Sequence, residues 1–380
     1  MQSKWVKKYK LTFIIVLAGG LLFMGLGINY IQRLRNALLT STENYKTEIV
    51  RLERENLRLE KTTQAQRADI IANREYVTDG VSQNYLFEAN SSNLSLNTLA
   101  VSGKNNADAL RFIISGHLYG SADNEGSITP SSTLIDAVTE INTRDPDLFF
   151  TLGDLTYAPS AQSFAELHEN FLSKVDAPIF NAPGNHDFYN GRAFYEEAFG
   201  QSFYYFKYGL TQIIILDTEV GQCAILGRQK EMLSQALTLA LDDDDISSIF
   251  IFFHKTLFLE GEPQLMAQAN DTCSYGTNYG ELETELFIPA AQKKPLYLIA
   301  GDVGAFGGNL SPFYYKNPDA NLYALALGLG DSPDDLLLQI DILPSSEIEL
   351  QIISIGGNEF SEIETYTPEY WTEKNVSVQP

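Results

Sequence analysis

Apolar and polar positions follow three different rhythms along this chain, and each predicts a different structure. From Leu11 to Ile31 the residues are uncharged and largely apolar. A run of about 20 such residues is long enough to cross a bilayer as a helix. Beyond it, no proline or glycine interrupts Gln32 to Asp79, and Ile31, Leu38, Tyr45, Ile49, Leu52, Leu59, Ile70 and Val77 fall on one alternating three-four register. That spacing keeps one face of a helix apolar and predicts a stalk over 32–79, with Asn56 as a polar residue on the seam. Thr42, Thr63, Gln66 and Asn73 interrupt the seam, and in a parallel pair Glu48 would face Glu53 and Glu55 would face Glu60. Three readings of the stalk stay open: a solvated spacer, a homodimeric coiled coil, and a pairing with a different partner helix. Residues 80–109 are rich in Asn and Ser without a sustained period, and read as a linker or an irregular strap.

The third rhythm begins at Leu110, where short apolar runs alternate with amphipathic stretches. Strands are expected at 111–114, 148–152, 179–180, 203–208, 213–216, 246–253 and 296–300. A terminal group is expected at 322–327, 336–342 and 348–355. Helices are expected at 133–142, 161–175 and 227–241. Strands alternating with helices early, then clustered strands, predict an α/β domain over 110–355 with a mixed sheet or two packed sheets. The last residues, 356–380, show no clear pattern.

Charge and cysteine content refine this picture. Lys4, Lys7, Lys8 and Lys10 precede the apolar run and only Arg33 and Arg35 follow closely, which predicts a cytoplasmic segment 1–10 and an exported remainder. The basic flank argues against a core helix, and no small-x-small site closes the run as in a cleaved signal peptide. Residues 11–31 therefore read as a signal anchor. The formal net charge of -23 argues against nucleic acid and against docking on anionic lipid. Cys223 and Cys273 are the two cysteines, too few for a disulfide scaffold or a thiolate metal site. Outside the cytoplasm they would be free to pair.

The candidate chemistry sits where strands end. Ala177-Pro178-Ile179-Phe180 leads into Gly184-Asn185-His186-Asp187, a turn that presents an amide, an imidazole and a carboxylate. The strand 148–152 ends in Gly153-Asp154, 246–253 in His254, and 296–300 in Gly301-Asp302. If these strands are parallel neighbours, Asp154, Asn185, His254 and Asp302 converge at one edge. Two carboxylates, an amide oxygen and an imidazole form a coherent ligand set for Mn, Fe, Zn or Mg.

The order Gly153-Asp154, Gly184 to Asp187, then His254 resembles the calcineurin-like metallophosphoesterase family. Leu216-Asp217-Thr218 ahead of a helix with Gln229, and Phe252-Phe253-His254, agree with it. The resemblance covers about 110–355. It implies an α/β fold, a calcineurin-like four-layer sandwich of two mixed β-sheets flanked by helices, here preceded by the transmembrane helix and helical stalk. It implies two metals bridged by Asp154, Asn185 and His254 as ligands of the second, and His186 with Asp187 as the catalytic pair, His186 being the general acid to the leaving group. Water activated by the metals would attack phosphorus.

Two motifs depart from the family. Its Asp-x-His reads Ser115-Gly116-His117 here, which keeps His117 but not the carboxylate. Its Gly-His-x-His falls on Gly301-Asp302-Val303-Gly304, where Asp302 can be a ligand and Gly304 cannot. The second ion keeps Asp154, Asn185, His254 and Asp302. The first keeps His117 and Asp154, so one well-held ion is expected rather than two. Lys255, which follows His254, offers a cation for a substrate phosphate, and Asn185 is a second substrate-binding candidate. The expected activity is a membrane-anchored, extracytoplasmic, metal-dependent phosphoesterase acting on a small phosphomonoester or phosphodiester. The alternatives are a catalytically inactive binding or scaffolding module on the same fold, working through stalk or site, and a metal-dependent hydrolase of another bond.

Overall fold

The computed structural model describes Arg35 and residues 94–101, 109–121, 130–271, 273, 276–306 and 310–376. The anchor at 11–31, nearly all of the stalk at 32–79 and most of 80–109 lie outside the described residues. Among the described residues no helix is long and apolar enough to cross a membrane.

The apolar runs form strands because each is short, β-branched or aromatic, and bounded by turn residues. In chain order they are β1 (Leu110–Gly116), β2 (Leu148–Leu152), β3 (Ile179–Asn181), β4 (Tyr204–Tyr208), β5 (Thr211–Ile215), β6 (Ser248–Phe253), β7 (Leu296–Ala300), β8 (Phe313–Lys316), β9 (Leu322–Ala326), β10 (Leu336–Ile342) and β11 (Ile348–Ser354). They make two mixed sheets, ordered β11-β10-β1-β2-β3 and β4-β5-β6-β7-β9-β8. In the first, β1, β2 and β3 are parallel while β10 and β11 add antiparallel. In the second, β5, β6, β7 and β9 are parallel between antiparallel edges β4 and β8.

The period of two along these strands sends alternate side chains into separate apolar layers. Phe112, Ile114 and Phe150 meet Phe250 and Phe252 between the sheets, with the rings of Phe150 and Phe252 stacked 4.1 Å apart. Ile113 and Phe149 point the other way, against Leu134, Ile141 and Leu167 of the helices that cover the first sheet. Ile249, Ile251 and Phe253 pack on Met232, Leu233, Ala236 and Leu237 of the helix Gly227–Asp242, which covers the second. The result is helices, sheet, sheet, helices, as expected.

The structure redraws several elements. The helix expected at 133–142 is two short pieces, Ser132–Asp136 and Val138–Thr143, meeting at Ala137. The one expected at 161–175 starts at a capping box between Ser160 and Ser163 and ends at Asn170, followed by a single turn at Leu172–Lys174. The helix Arg192–Phe199, strand β8 and the helical turns over 279–291 were not expected. Past Ile355, where the sequence shows no pattern, Pro368–Val376 is helical, Trp371 is 1% exposed, and its indole N–H donates to the Pro312 carbonyl at 3.0 Å.

At the other end, residues 94–98 lie along the free edge of β3. The Leu96 amide donates to the Ile179 carbonyl at 2.8 Å, and the Asn97 side chain donates to the carbonyls of Val175 and Ala177. This strap covers an edge whose backbone groups would otherwise face water.

The strands carrying the candidate chemistry are therefore not neighbours in one sheet. Asp154 and Asn185 follow β2 and β3 of the first sheet, while His254 and Asp302 follow β6 and β7 of the second. The two sheets bring matching ends of their parallel strands to one side of the sandwich.

Candidate active site

Asp154 lies at the centre. It has φ of 56°, and His117 has φ of 50°, both in the left-handed region where side chains other than glycine are uncommon. The loops that carry them hold one another: the Tyr119 amide donates to the Asp154 carbonyl at 3.1 Å. Gly184 is required here because a Cβ on it would sit 2.3 Å from Asp154 Oδ1.

Asp187 locks the arrangement from behind. Its carboxylate accepts from the amides of Asp154 at 3.1 Å, Leu155 at 2.8 Å and Gly184 at 2.8 Å, so it ties the turn after β3 to the turn after β2. Burial and the nearby Asp154 charge push its carboxyl up to about 7, against the pull of these amide donors.

Three of the chain's four histidines gather around Asp154 in the same way. A backbone carbonyl can only accept, so the ring nitrogen beside it carries the proton. Nδ1 of His117 faces the Leu329 carbonyl at 3.1 Å, Nδ1 of His254 the Leu152 carbonyl at 2.6 Å, and Nδ1 of His186 the Tyr157 carbonyl at 2.6 Å. Each ring thus keeps Nε2 for the site. Nε2 of His117 lies 3.5 Å from Asp154 Oδ2, and Nε2 of His254 lies 3.4 Å from Asp154 Oδ1 and 3.6 Å from Asp302 Oδ1.

His254 Nε2 is fully buried and has no hydrogen-bond partner. Its oxygen neighbours are too far for a good hydrogen bond. A spacing of about 3.4 Å is what two donor atoms show when each lies ~2.1 Å from one shared tetrahedral ion. Asp154, His254 and Asp302 each offer an atom within 4.8 Å of the others, and all three are buried. A ring whose Nδ1–H is held by a backbone carbonyl and whose Nε2 meets two carboxylates is the usual preparation of a metal-ligating histidine. These residues fit one divalent ion.

The charges follow from this crowding. Burial alone would lower His254, but the Asp154 and Asp302 carboxylates outweigh it and bring the imidazole up to about 10. Burial would raise Asp154, but His254, His186 and His117 hold it below the usual carboxylate range. In His117 burial wins and lowers the ring.

His186 occupies the outer part of the site. Its amide donates to Asp154 Oδ1 at 3.0 Å, and its Nε2 meets the hydroxyls of Tyr119 and Tyr189, both at 3.2 Å. The rings of Tyr119, Tyr157 and Tyr189 surround it, with centroids 4.7, 5.2 and 4.4 Å away. Tyr189 is 58% exposed, so this is the solvent side.

Asn185 and Lys255 depart from expectation. Asn185 Oδ1 does not face Asp154 and His254 as an open ligand but accepts from Lys255 Nζ at 2.7 Å. Lys255, 1% exposed, also donates to Asp302 Oδ2 at 2.8 Å and Asp271 Oδ2 at 2.9 Å. An ammonium has three protons, and here all three have acceptors, so none is left for a phosphate. Ser115, in place of the family's first carboxylate, has a buried hydroxyl without a partner. Gly304 has φ of 85°, and a Cβ there would lie 2.3 Å from the Gly328 carbonyl oxygen, so the loop has no room for a histidine.

Four residues of the site had no signal in the sequence. Tyr119 and Tyr157 follow the strand-end turns at no diagnostic spacing. Asp271 comes from a loop brought in by the Cys223–Cys273 disulfide, whose Cα atoms are 5.8 Å apart. Glu219, bonded by the Thr218 hydroxyl at 3.1 Å, has its carboxyl pushed up to about 7 by burial, with the Lys255 charge opposing.

A family model described as calcineurin-like phosphoesterase matches residues 124–263. No curated protein matches the chain. Among solved structures, a purple acid phosphatase from yellow lupin (Lupinus luteus) seeds is similar at 15% identity and a TM-score of 0.47, covering 69% of this chain and 55% of its own. A dimetal phosphatase from Danio rerio is similar at 13% identity and a TM-score of 0.46, covering 65% of this chain and 96% of its own. This chain thus spans little more than half the length of the lupin enzyme. The matched stretch contains Asp154, Asn185, His186, Asp187 and His254, while His117 and Asp302, at the two departing motifs, fall outside it. Over residues 124–263 the resemblance to the calcineurin-like phosphoesterases drawn from the sequence is borne out.

Proposed function

We propose that this chain is a metal-dependent phosphoesterase that hydrolyses a small phosphomonoester or phosphodiester, held to a membrane by residues 11–31 with its domain on the extracytoplasmic side. The observation that carries the reaction is the buried group Asp154, His254 and Asp302, with His254 Nε2 unpartnered and His186 tied to Asp154 through its amide. A divalent ion held by these three would polarise a phosphoryl oxygen and make a water more acidic.

The chain's own residues supply the rest. Asp187 fixes the two turns so that Asp154 and His186 keep their spacing. The Tyr157 carbonyl holds the His186 Nδ1 proton, so the proton given to the leaving oxygen is a second one, carried on Nε2 by the imidazolium form, and the ring returns to the neutral Nδ1–H tautomer when that proton has left. Tyr119 keeps its own proton, because burial and the Asp154 charge raise its phenol well above the ordinary range, and it can orient Nε2. The disulfide supports the extracytoplasmic placement, since such bonds persist in oxidising compartments.

The test is turnover of p-nitrophenyl phosphate and bis-p-nitrophenyl phosphate by the detergent-solubilised full chain with Mn²⁺. His186→Ala should lower kcat by roughly 10²–10⁴-fold with metal content unchanged. Turnover that survives His186→Ala intact would remove its role. A second reading, an inactive binding or scaffolding module, is favoured by the closed loop at Gly304 and the missing carboxylate at Ser115. Failure of the wild type to hydrolyse either ester would favour that reading.

A further inference from the structure

The ammonium of Lys255 stands among groups that the family resemblance assigns to a metal. Asn185 Oδ1 and Asp302 Oδ2, its partners at 2.7 and 2.8 Å, are two of the four groups expected around a second ion. The Asp302 carboxylate is divided: Oδ2 goes to Lys255, and Oδ1 faces His254 Nε2 at 3.6 Å. The third acceptor, Asp271 Oδ2 at 2.9 Å, belongs to a residue whose side chain is 48% exposed, so the amine spans the wall from the buried group to the rim.

We propose that Lys255 is a protein-borne cation that fills one of two adjacent cation positions, the one formed by Asn185 Oδ1, Asp302 Oδ2 and Asp271 Oδ2, so that the site accepts one exchangeable divalent ion fewer than its acceptor groups would otherwise hold. The remaining ion uses Asp154, His254 and Asp302 Oδ1. Shortening residue 255 frees Asn185 Oδ1 and Asp302 Oδ2 and opens a latent cation position beside it. This inference rests on the metal-site reading above, but it is read from metal counts and not from turnover.

The experiment is equilibrium dialysis of the full chain in detergent against Mn²⁺, with wild type beside Lys255→Ala. The variant should bind one more Mn²⁺ per chain than the wild type. Equal counts overturn the proposal. Electron paramagnetic resonance gives a check on the wild type alone, independent of how the variant folds. At saturating Mn²⁺ the site should show isolated ions only, and a spin-coupled Mn²⁺ pair in the wild type overturns the proposal. Equal counts with ester hydrolysis intact would sink the Lys255 role and leave the phosphoesterase standing. An extra ion in Lys255→Ala together with no hydrolysis by the wild type would do the reverse.

Discussion

Asp187 illustrates how one side chain can matter without touching substrate. It sits one position after the histidine proposed as general acid, and its carboxylate accepts three backbone amides from two turns. Removing it leaves buried donors unpaired, each costing about 1–3 kcal/mol. Asp187→Ala should therefore lower unfolding free energy by at least about 2 kcal/mol in urea melts, and Asp187→Asn by less, since its amide oxygen still accepts. An unchanged midpoint in Asp187→Ala would mean that water or a neighbour replaces the carboxylate. At this scale the sequence was informative wherever a residue's role follows from a strand end. Asp154, His254 and Asp302 come together because each directly follows a parallel strand or its terminal glycine. Asn185 and Lys255 were legible as site residues but not as each other's partners. That pairing depends on how far the Lys255 side chain reaches across from the second sheet, which no spacing along the chain encodes.

Among the elements, the loop around Asp271 is the one most dependent on a covalent tie. The Cys223–Cys273 bond closes a loop with a sequence separation of 50, and joins the turn after β5 to the segment that supplies Asp271. In the chain-entropy account a loop of this length is worth about 4 kcal/mol. Cys223→Ser should cost about 2–4 kcal/mol by urea unfolding. Free thiols titrated in the native, unreduced wild-type protein would show that the bond is not formed. The same contrast between local and distant causes explains which elements the sequence reveals. Strands β2, β7 and β10 match their expected limits: β2 and β7 are compact, largely apolar runs followed directly by Gly153 and Gly301, and β10 opens on three leucines and then alternates, with Gln339 and Asp341 between Leu338, Ile340 and Ile342. Strand β8, only Phe313–Lys316 and half-buried on its outer side, has too few positions to show a period. The helix expected at 133–142 shows a correct apolar face, yet Ala137 divides it, a local choice that burial periodicity does not register.

For the whole molecule, the proposed anchor at 11–31 and the domain together make a claim about sides of a membrane. External protease added to intact cells or spheroplasts should degrade the domain of the full chain, and a domain that stays protected until the membrane is dissolved would sink the extracytoplasmic placement. The acidic balance of -23 gives no hint of partner, but it does set a long-range repulsion against polyanions. Beyond the expected end of the domain at 355, Trp371 is buried from the far side of a patternless stretch; a single buried residue has no period to read. The start of the domain has a mechanical meaning. The strap at 94–98 is bonded to β3, and β3 ends just ahead of the turn with Asn185 and His186. Any pull on the chain ahead of Leu94 is transmitted through the Leu96–Ile179 and Asn97–Ala177 bonds to that strand, so the load path from a tether runs into the sandwich along the same edge that supports its outer histidine.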